Sequence, residues 1–150
     1  MPGWKSAIDR ILHKPALPAP RVAVLAVTPC DSDRAHLSSI AMREGWDLAL
    51  AADCPEALAL LDMRRFPVVL CDRDLPDADW RGSLKALSAA GHPPCVILTS
   101  AVNDNYLWQE VVQNGGYDVV TKPLHDAEVV AAVRRAWVFW KAAEALESRR

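Results

Sequence analysis

"VVLCDRDLP", Val68 to Pro76, decides the fold. Four apolar residues run directly into Asp72, Arg73 and Asp74, with Pro76 close behind. An apolar run of strand length, without alternation, is the pattern of a strand buried on both faces of a parallel sheet. Such a strand holds its backbone rigidly. A carboxylate at its tip is therefore presented to a solvent-accessible rim at a fixed place, and a helix cap is a poor explanation for it.

The same unit repeats outward in both directions. "VAVLAV" (22–27) and "WDLAL" (46–50) precede the run, and "PCVILTS" (94–100) and "YDVVT" (117–121) follow it. Between them lie segments of helical spacing. Leu37, Ile40, Ala41 and Glu44 are stopped by Gly45. Asp53, Pro55 and Glu56 open a helix with a cap, an early proline and an acid in its first turn, and Leu58 and Leu61 supply its inner face. Leu84 and Leu87 are closed by Gly91, and Leu107, Val111 and Val112 by Gly115-Gly116. Val129, Val133, Trp137 and Trp140 run along a long final helix. Five strands alternating with five helices predict an α/β domain: a doubly wound, five-stranded parallel sheet with helices on both faces.

The chain divides at "PALPAP", a proline-spaced linker over 15–20. Residues 1–20 read as an amphipathic segment plus this linker: Trp4, Ile8, Ile11 and Leu12 share a helical face opposite Lys5, Asp9 and Arg10. Residues 21–141 form the domain. Residues 142–150 are rich in helix formers and are expected to extend the last helix. The length of 150 residues suits one domain with a real core, and a hydrophobic fraction of 51% argues against disorder. A net charge of −2, with both signs spread along the chain, argues against a nucleic-acid surface. The four cysteines, Cys30, Cys54, Cys71 and Cys95, form no C-x-x-C pair and read as buried thiols of a cytoplasmic protein. No apolar run approaches the roughly 20 residues of a membrane helix, and the N-terminus is too polar for a signal peptide.

Ligands of doubly wound sheets bind beyond the carboxyl ends of the strands. Those ends carry Thr28-Pro29-Cys30-Asp31, Asp72, Thr99-Ser100 and Lys122-Pro123. An aspartate can accept a phosphoryl group as an acyl phosphate, and a hydroxyl and an ammonium are suited to surround its new oxygens. Taken singly, Thr99 is an ordinary β-branched strand residue and Lys122 a solvated charge. Their convergence on the rim of Asp72 is what carries the chemistry.

Over residues 21–141 the chain resembles the receiver domain of bacterial two-component response regulators, through "VVLCDRDLPDADW", "CVILTS" and "GGYDVVTKP" in that order. The resemblance implies a flavodoxin-like strand order 2-1-3-4-5 and Asp72 as phosphoacceptor. It also implies Thr99 as the hydroxyl that follows the phosphoryl group, Lys122 as its charge partner, a cis Lys122–Pro123 bond, and a sensor histidine kinase among the partners. Three departures stand beside it. The two adjacent acids that usually follow the first strand and hold Mg²⁺ fall on Thr28 and Pro29. Asp31 and Asp33 come later, where they are equally suited to cap the following helix. The switch aromatic three residues before the lysine is Val119, with Tyr117 expected on the same face by strand alternation. Trp80 stands where glycine is usual.

With only Asp72, Asp74 and Asp31 left as metal-binding carboxylates, the expected Mg²⁺ site is weak. The expected function is an atypical, non-enzymatic receiver module, weakly phosphorylated or independent of phosphorylation. "DRDL", "VILTS" and a later lysine also resemble haloacid-dehalogenase-type phosphatases, with Asp72 as nucleophile and Asp74 as general acid. That alternative is disfavoured because two strand–helix units precede Asp72, no strand remains after Lys122 to supply a further acid, and a lid domain has no room. No helix-turn-helix reader is expected after the receiver. Output is expected through protein contacts of the last two helices and final strand, where Trp108, Trp137, Phe139 and Trp140 cluster, with a homodimer through the last helix as the simplest form.

Overall fold

The computed structural model describes residues 21–149, so the expected amphipathic segment of Trp4, Ile8, Ile11 and Leu12 lies outside the described residues. Strands β1 (Ala23–Val27), β2 (Asp47–Ala51), β3 (Val68–Asp72), β4 (Cys95–Ser100) and β5 (Asp118–Thr121) alternate with helices α1 (Asp31–Glu44), α2 (Cys54–Met63), α3 (Trp80–Ser88), α4 (Asn105–Gln113) and α5 (Asp126–Glu147). All pairings are parallel, in the order β2-β1-β3-β4-β5. β3 lies at the centre with all five residues buried, Asp72 included.

Strand alternation sorts the core into two layers. Val24, Ala26, Val68, Leu70, Ile97 and Val120 face Leu37 and Ile40 of α1 and Val129, Ala132, Val133 and Ala136 of α5. Leu25, Val27, Val69, Cys71, Val96 and Leu98 face α2, α3 and α4 through Ala57, Leu84, Leu87, Leu107 and Val111. Each fully buried valine or leucine contributes roughly 1.5–3 kcal/mol of transfer free energy. The central strands, apolar on both faces, therefore dominate stability.

Local chemistry sets most boundaries where the sequence places them. Asp53 accepts the Glu56 N–H at 2.9 Å and caps α2, with Pro55 in the first turn. Gly45, at φ 72°, closes α1 in the left-handed conformation. Of the two later glycine stops, one is reached early and one holds. α3 ends at Ser88, where the Ala89 N–H already reaches the carbonyls of Lys85 and Ala86, and Gly91 lies beyond. α4 ends where expected: Gly115 takes the left-handed conformation at φ 94°, with its N–H on Val112 O at 3.1 Å and the Gly116 N–H on Val111 O at 2.8 Å.

Tyr117 corrects an expectation. Val119 packs in the layer of α2, α3 and α4, whereas Tyr117 packs in the other, against α5, its ring centroid 5.3 Å from that of Phe139. β5 begins only at Asp118, so the two-residue alternation does not extend back to Tyr117.

The thiols follow the burial pattern. Cys54, Cys71 and Cys95 are buried and Cys30 is half-buried, and all four are free. Burial pushes the Cys71 thiol up to about 12, and the Cys95 thiol up to about 11. These groups are neutral packing elements. No helix among the described residues is long and apolar enough to cross a membrane.

Candidate functional site

The carboxyl ends of β1 and β3, the first turn of α1 and the loop after β5 meet at one rim. Thr28 continues β1 by one residue, its N–H donating to Ala51 O at 2.9 Å, and this buries its side chain. The Thr28 hydroxyl donates to Asp72 Oδ2 at 2.9 Å and accepts the Cys30 N–H at 3.1 Å. Asp72, only 3% exposed, accepts the Asp74 N–H on Oδ1 at 3.0 Å, which folds the chain sharply after the strand. Lys122 Nζ donates to Asp72 Oδ2 at 2.8 Å and makes a second ion pair with Asp33 Oδ2, also at 2.8 Å. The Lys122–Pro123 peptide bond is cis.

One ammonium is thus shared by two carboxylates. Burial alone pulls the Lys122 pKa down, but its hydrogen bonds to Asp33 and Asp72 outweigh that and leave it above the ordinary 10.5. Lys122 is charged at neutral pH. Both oxygens of Asp72 are engaged, Oδ2 by a hydroxyl and an ammonium and Oδ1 by a backbone N–H.

The structure brings together two of the expected residues directly. Asp72 and Lys122 are in contact. Thr99 lies beside Asp72 in register on β4, buried, and none of the hydrogen bonds to Asp72 described above comes from its hydroxyl. Asp74 contributes its backbone N–H, while its side chain is exposed. Asp31 opens α1 and is exposed. The acid that reaches the rim is Asp33, equally suited by sequence to cap α1 and not among the carboxylates expected at the metal site. The signal was present: Asp33 precedes Leu37 by four residues and Ile40 by seven, so it extends the buried stripe of α1 by one turn.

A bracing pair lies on the opposite layer. The Arg81 guanidinium binds both oxygens of Glu110 at 2.9 Å, tying α3 to α4, and stacks 4.4 Å above the ring of buried Trp80.

Residues 24–134 match the family model described as the response regulator receiver domain. The chain belongs to that family. Among curated relatives, the sensory transduction protein RegX3 of Mycobacterium bovis is 30% identical over 75% of this chain and 49% of its own length. The probable transcriptional regulatory protein TcrX of Mycobacterium tuberculosis is 36% identical over 67% of this chain and 43% of its own length. The receiver thus spans about half the length of these relatives or less. Among solved structures, the signal receiver domain of an HD domain-containing protein from Pseudomonas fluorescens Pf-5 superposes with a TM-score of 0.77, at 24% identity, covering 86% of this chain and 96% of that one. The beryllofluoride-activated NtrC4 receiver domain dimer gives 0.72 at 22% identity, covering 79% and 98%. The phosphatase alternative finds no support in any of these.

Receiver domains generally bind Mg²⁺. Asp72 and Asp33 are the inward carboxylates that such an ion would meet here. The two inward carboxylates are bridged by an ammonium, and Thr28 offers Asp72 a hydroxyl proton instead of a third negative charge. Among the described residues, no group of three or more His, Cys, Asp and Glu side chains is arranged to hold a metal.

Proposed function

We propose that this receiver is a cytoplasmic, non-enzymatic signalling module in which Asp72 is the phosphoacceptor but is weakly phosphorylated. The observation that carries the reading is the Lys122 ammonium bonded at 2.8 Å to both Asp72 and Asp33, with Thr28 in the place of an acid. A carboxylate whose oxygens already accept a hydroxyl, an ammonium and a backbone N–H is a poorer nucleophile. Phosphoryl transfer also relies on a cation to neutralise developing charge. Thr99, one strand over, is the hydroxyl placed to meet an added phosphoryl group.

The test is a Mg²⁺ titration followed by beryllofluoride, read by tryptophan fluorescence, in wild type and Asp72→Asn. The expected result is no saturation at low-millimolar Mg²⁺ and a weak beryllofluoride response that depends on Asp72. Saturation in that range, with a full Asp72-dependent response, would restore an ordinary phosphorylation switch.

Partners are a sensor histidine kinase and other signalling proteins, met through α4, β5 and α5. Trp108, Val138 and Phe139 are each about half exposed on these helices, more apolar surface than solvent contact favours. Self-association through α5 is the simplest use of that surface, and Trp140 lies half-buried on the same helix. Sedimentation is expected to show a dimer that Trp140→Ala weakens; a monomer at high concentration rules this out.

A further inference from the structure

We propose that Asp33 is a built-in anion that competes with an incoming phosphoryl group for Lys122, and so holds the site in its unmodified state. The inference rests on Asp72 being the acceptor and names the residue that restrains it.

The geometry places the competition. Asp33 Oδ2 and Asp72 Oδ2 are each 2.8 Å from the same Nζ, so they lie no more than 5.6 Å apart, the sum of those two distances. Both side chains are largely enclosed, Asp33 19% exposed and Asp72 4%, so water screens their mutual repulsion poorly. Lys122 is the cation that offsets it. Phosphorylation turns the single negative charge of Asp72 into close to two, spread over a larger group in the same space. The phosphoryl oxygens and Asp33 would both require the one ammonium. Asp33 is held in place from its own side, because it stands in the first turn of α1, where the helix dipole favours a negative charge. Two inward carboxylates therefore already share one ammonium before any phosphoryl group arrives.

Two other roles for Asp33 predict different outcomes. A cation ligand would help an anion bind, so its loss would weaken binding. A purely structural ion pair would leave anion affinity unchanged. An internal competitor does the opposite of the first: removing its charge strengthens binding.

The experiment measures beryllofluoride affinity at fixed Mg²⁺ for wild type, Asp33→Asn, Asp33→Glu and Asp33→Asn combined with Asp72→Asn. A thermal melt on each confirms that it is folded. Asp33→Asn, which keeps the shape and loses the charge, is expected to bind about tenfold more tightly, a gain of the size expected from removing one poorly screened charge. Asp33→Glu restores the charge on a longer side chain and is expected to return toward wild-type affinity. The gain must vanish with Asp72→Asn. Affinity that is unchanged or reduced in Asp33→Asn, alongside an Asp72-dependent response in wild type, overturns the inference and leaves Asp72 as acceptor. A response that survives Asp72→Asn, or none in any variant, overturns the acceptor reading as well.

Discussion

Replacing Lys122 with methionine is expected to lower folding stability by about 3 kcal/mol, measured by urea denaturation at neutral pH. The side chain is one-fifth exposed, so the expected loss sits at the lower end of the range for breaking a buried ion pair. What the substitution removes is less important than what it leaves. Asp72 stays buried at the end of the central strand, and Asp33 faces it without a cation between them. Methionine fills similar space, which isolates charge from packing. Adding Asp72→Asn to Lys122→Met removes the more deeply buried of the two stranded charges, and the double variant is expected to recover most of the loss. A Lys122→Met protein within about 0.5 kcal/mol of wild type would show that the ammonium contributes nothing to the fold. Alkaline pH gives a second signature. The folded pKa of Lys122 is raised above 10.5, so its stabilisation is fully present below 10.5 and is lost as pH rises through the folded value. The difference in stability between wild type and Lys122→Met should therefore shrink above pH 10.5. The raised thiols act in both proteins and cancel in that difference.

Trp80→Ala is expected to cost about 4 kcal/mol and to lower the midpoint of thermal unfolding by roughly 10–15 °C. Trp80 is 4% exposed at the first residue of α3, in the core layer that also holds Cys54, Leu75 and Leu84. Few neighbours can collapse into the space an indole leaves at a helix start. The substitution also strips the surface on which Arg81 stacks, loosening the guanidinium that binds Glu110 of α4. Calorimetry checks the magnitude. A shift of only a few degrees would mean that the loop before α3 repacks into the cavity.

The fold was legible in the sequence because the central strands are apolar on both faces, as at Val68–Cys71, and because helix starts such as Asp53-Cys54-Pro55-Glu56 carry their own chemistry. Asp72 and Lys122 were legible for the same reason: one ends and the other directly follows a strand whose end is easy to place. Asp33 was harder to see because its role depends on which side of α1 faces the sheet, and a polar residue at a helix start has a simpler explanation as a cap. Tyr117 was misplaced because alternation holds only within a strand, and the strand starts one residue later. The end of α3 falls ahead of Gly91 because the Ala89 N–H already closes on the Lys85 and Ala86 carbonyls, whereas the end of α4 was legible because its left-handed turn calls for the glycine at 115.

α5 is 22 residues long, which at about 1.5 Å per residue makes it some 33 Å from end to end. No strand beneath it exceeds six residues, roughly 20 Å of extended chain. Its last turns therefore overhang the sheet, with Arg65 reaching Glu144 as a stay. At its other end, Asp126 is tied to His36 and Arg43 of α1, the same helix that carries Asp33. Pivoted at that tied N-terminal end, the helix would act as a lever along its whole length. A tilt of about 5° at the pivot would carry Glu147 through roughly 3 Å. A rearrangement at the rim too small to alter the core would reach the far tip as a displacement of atomic size.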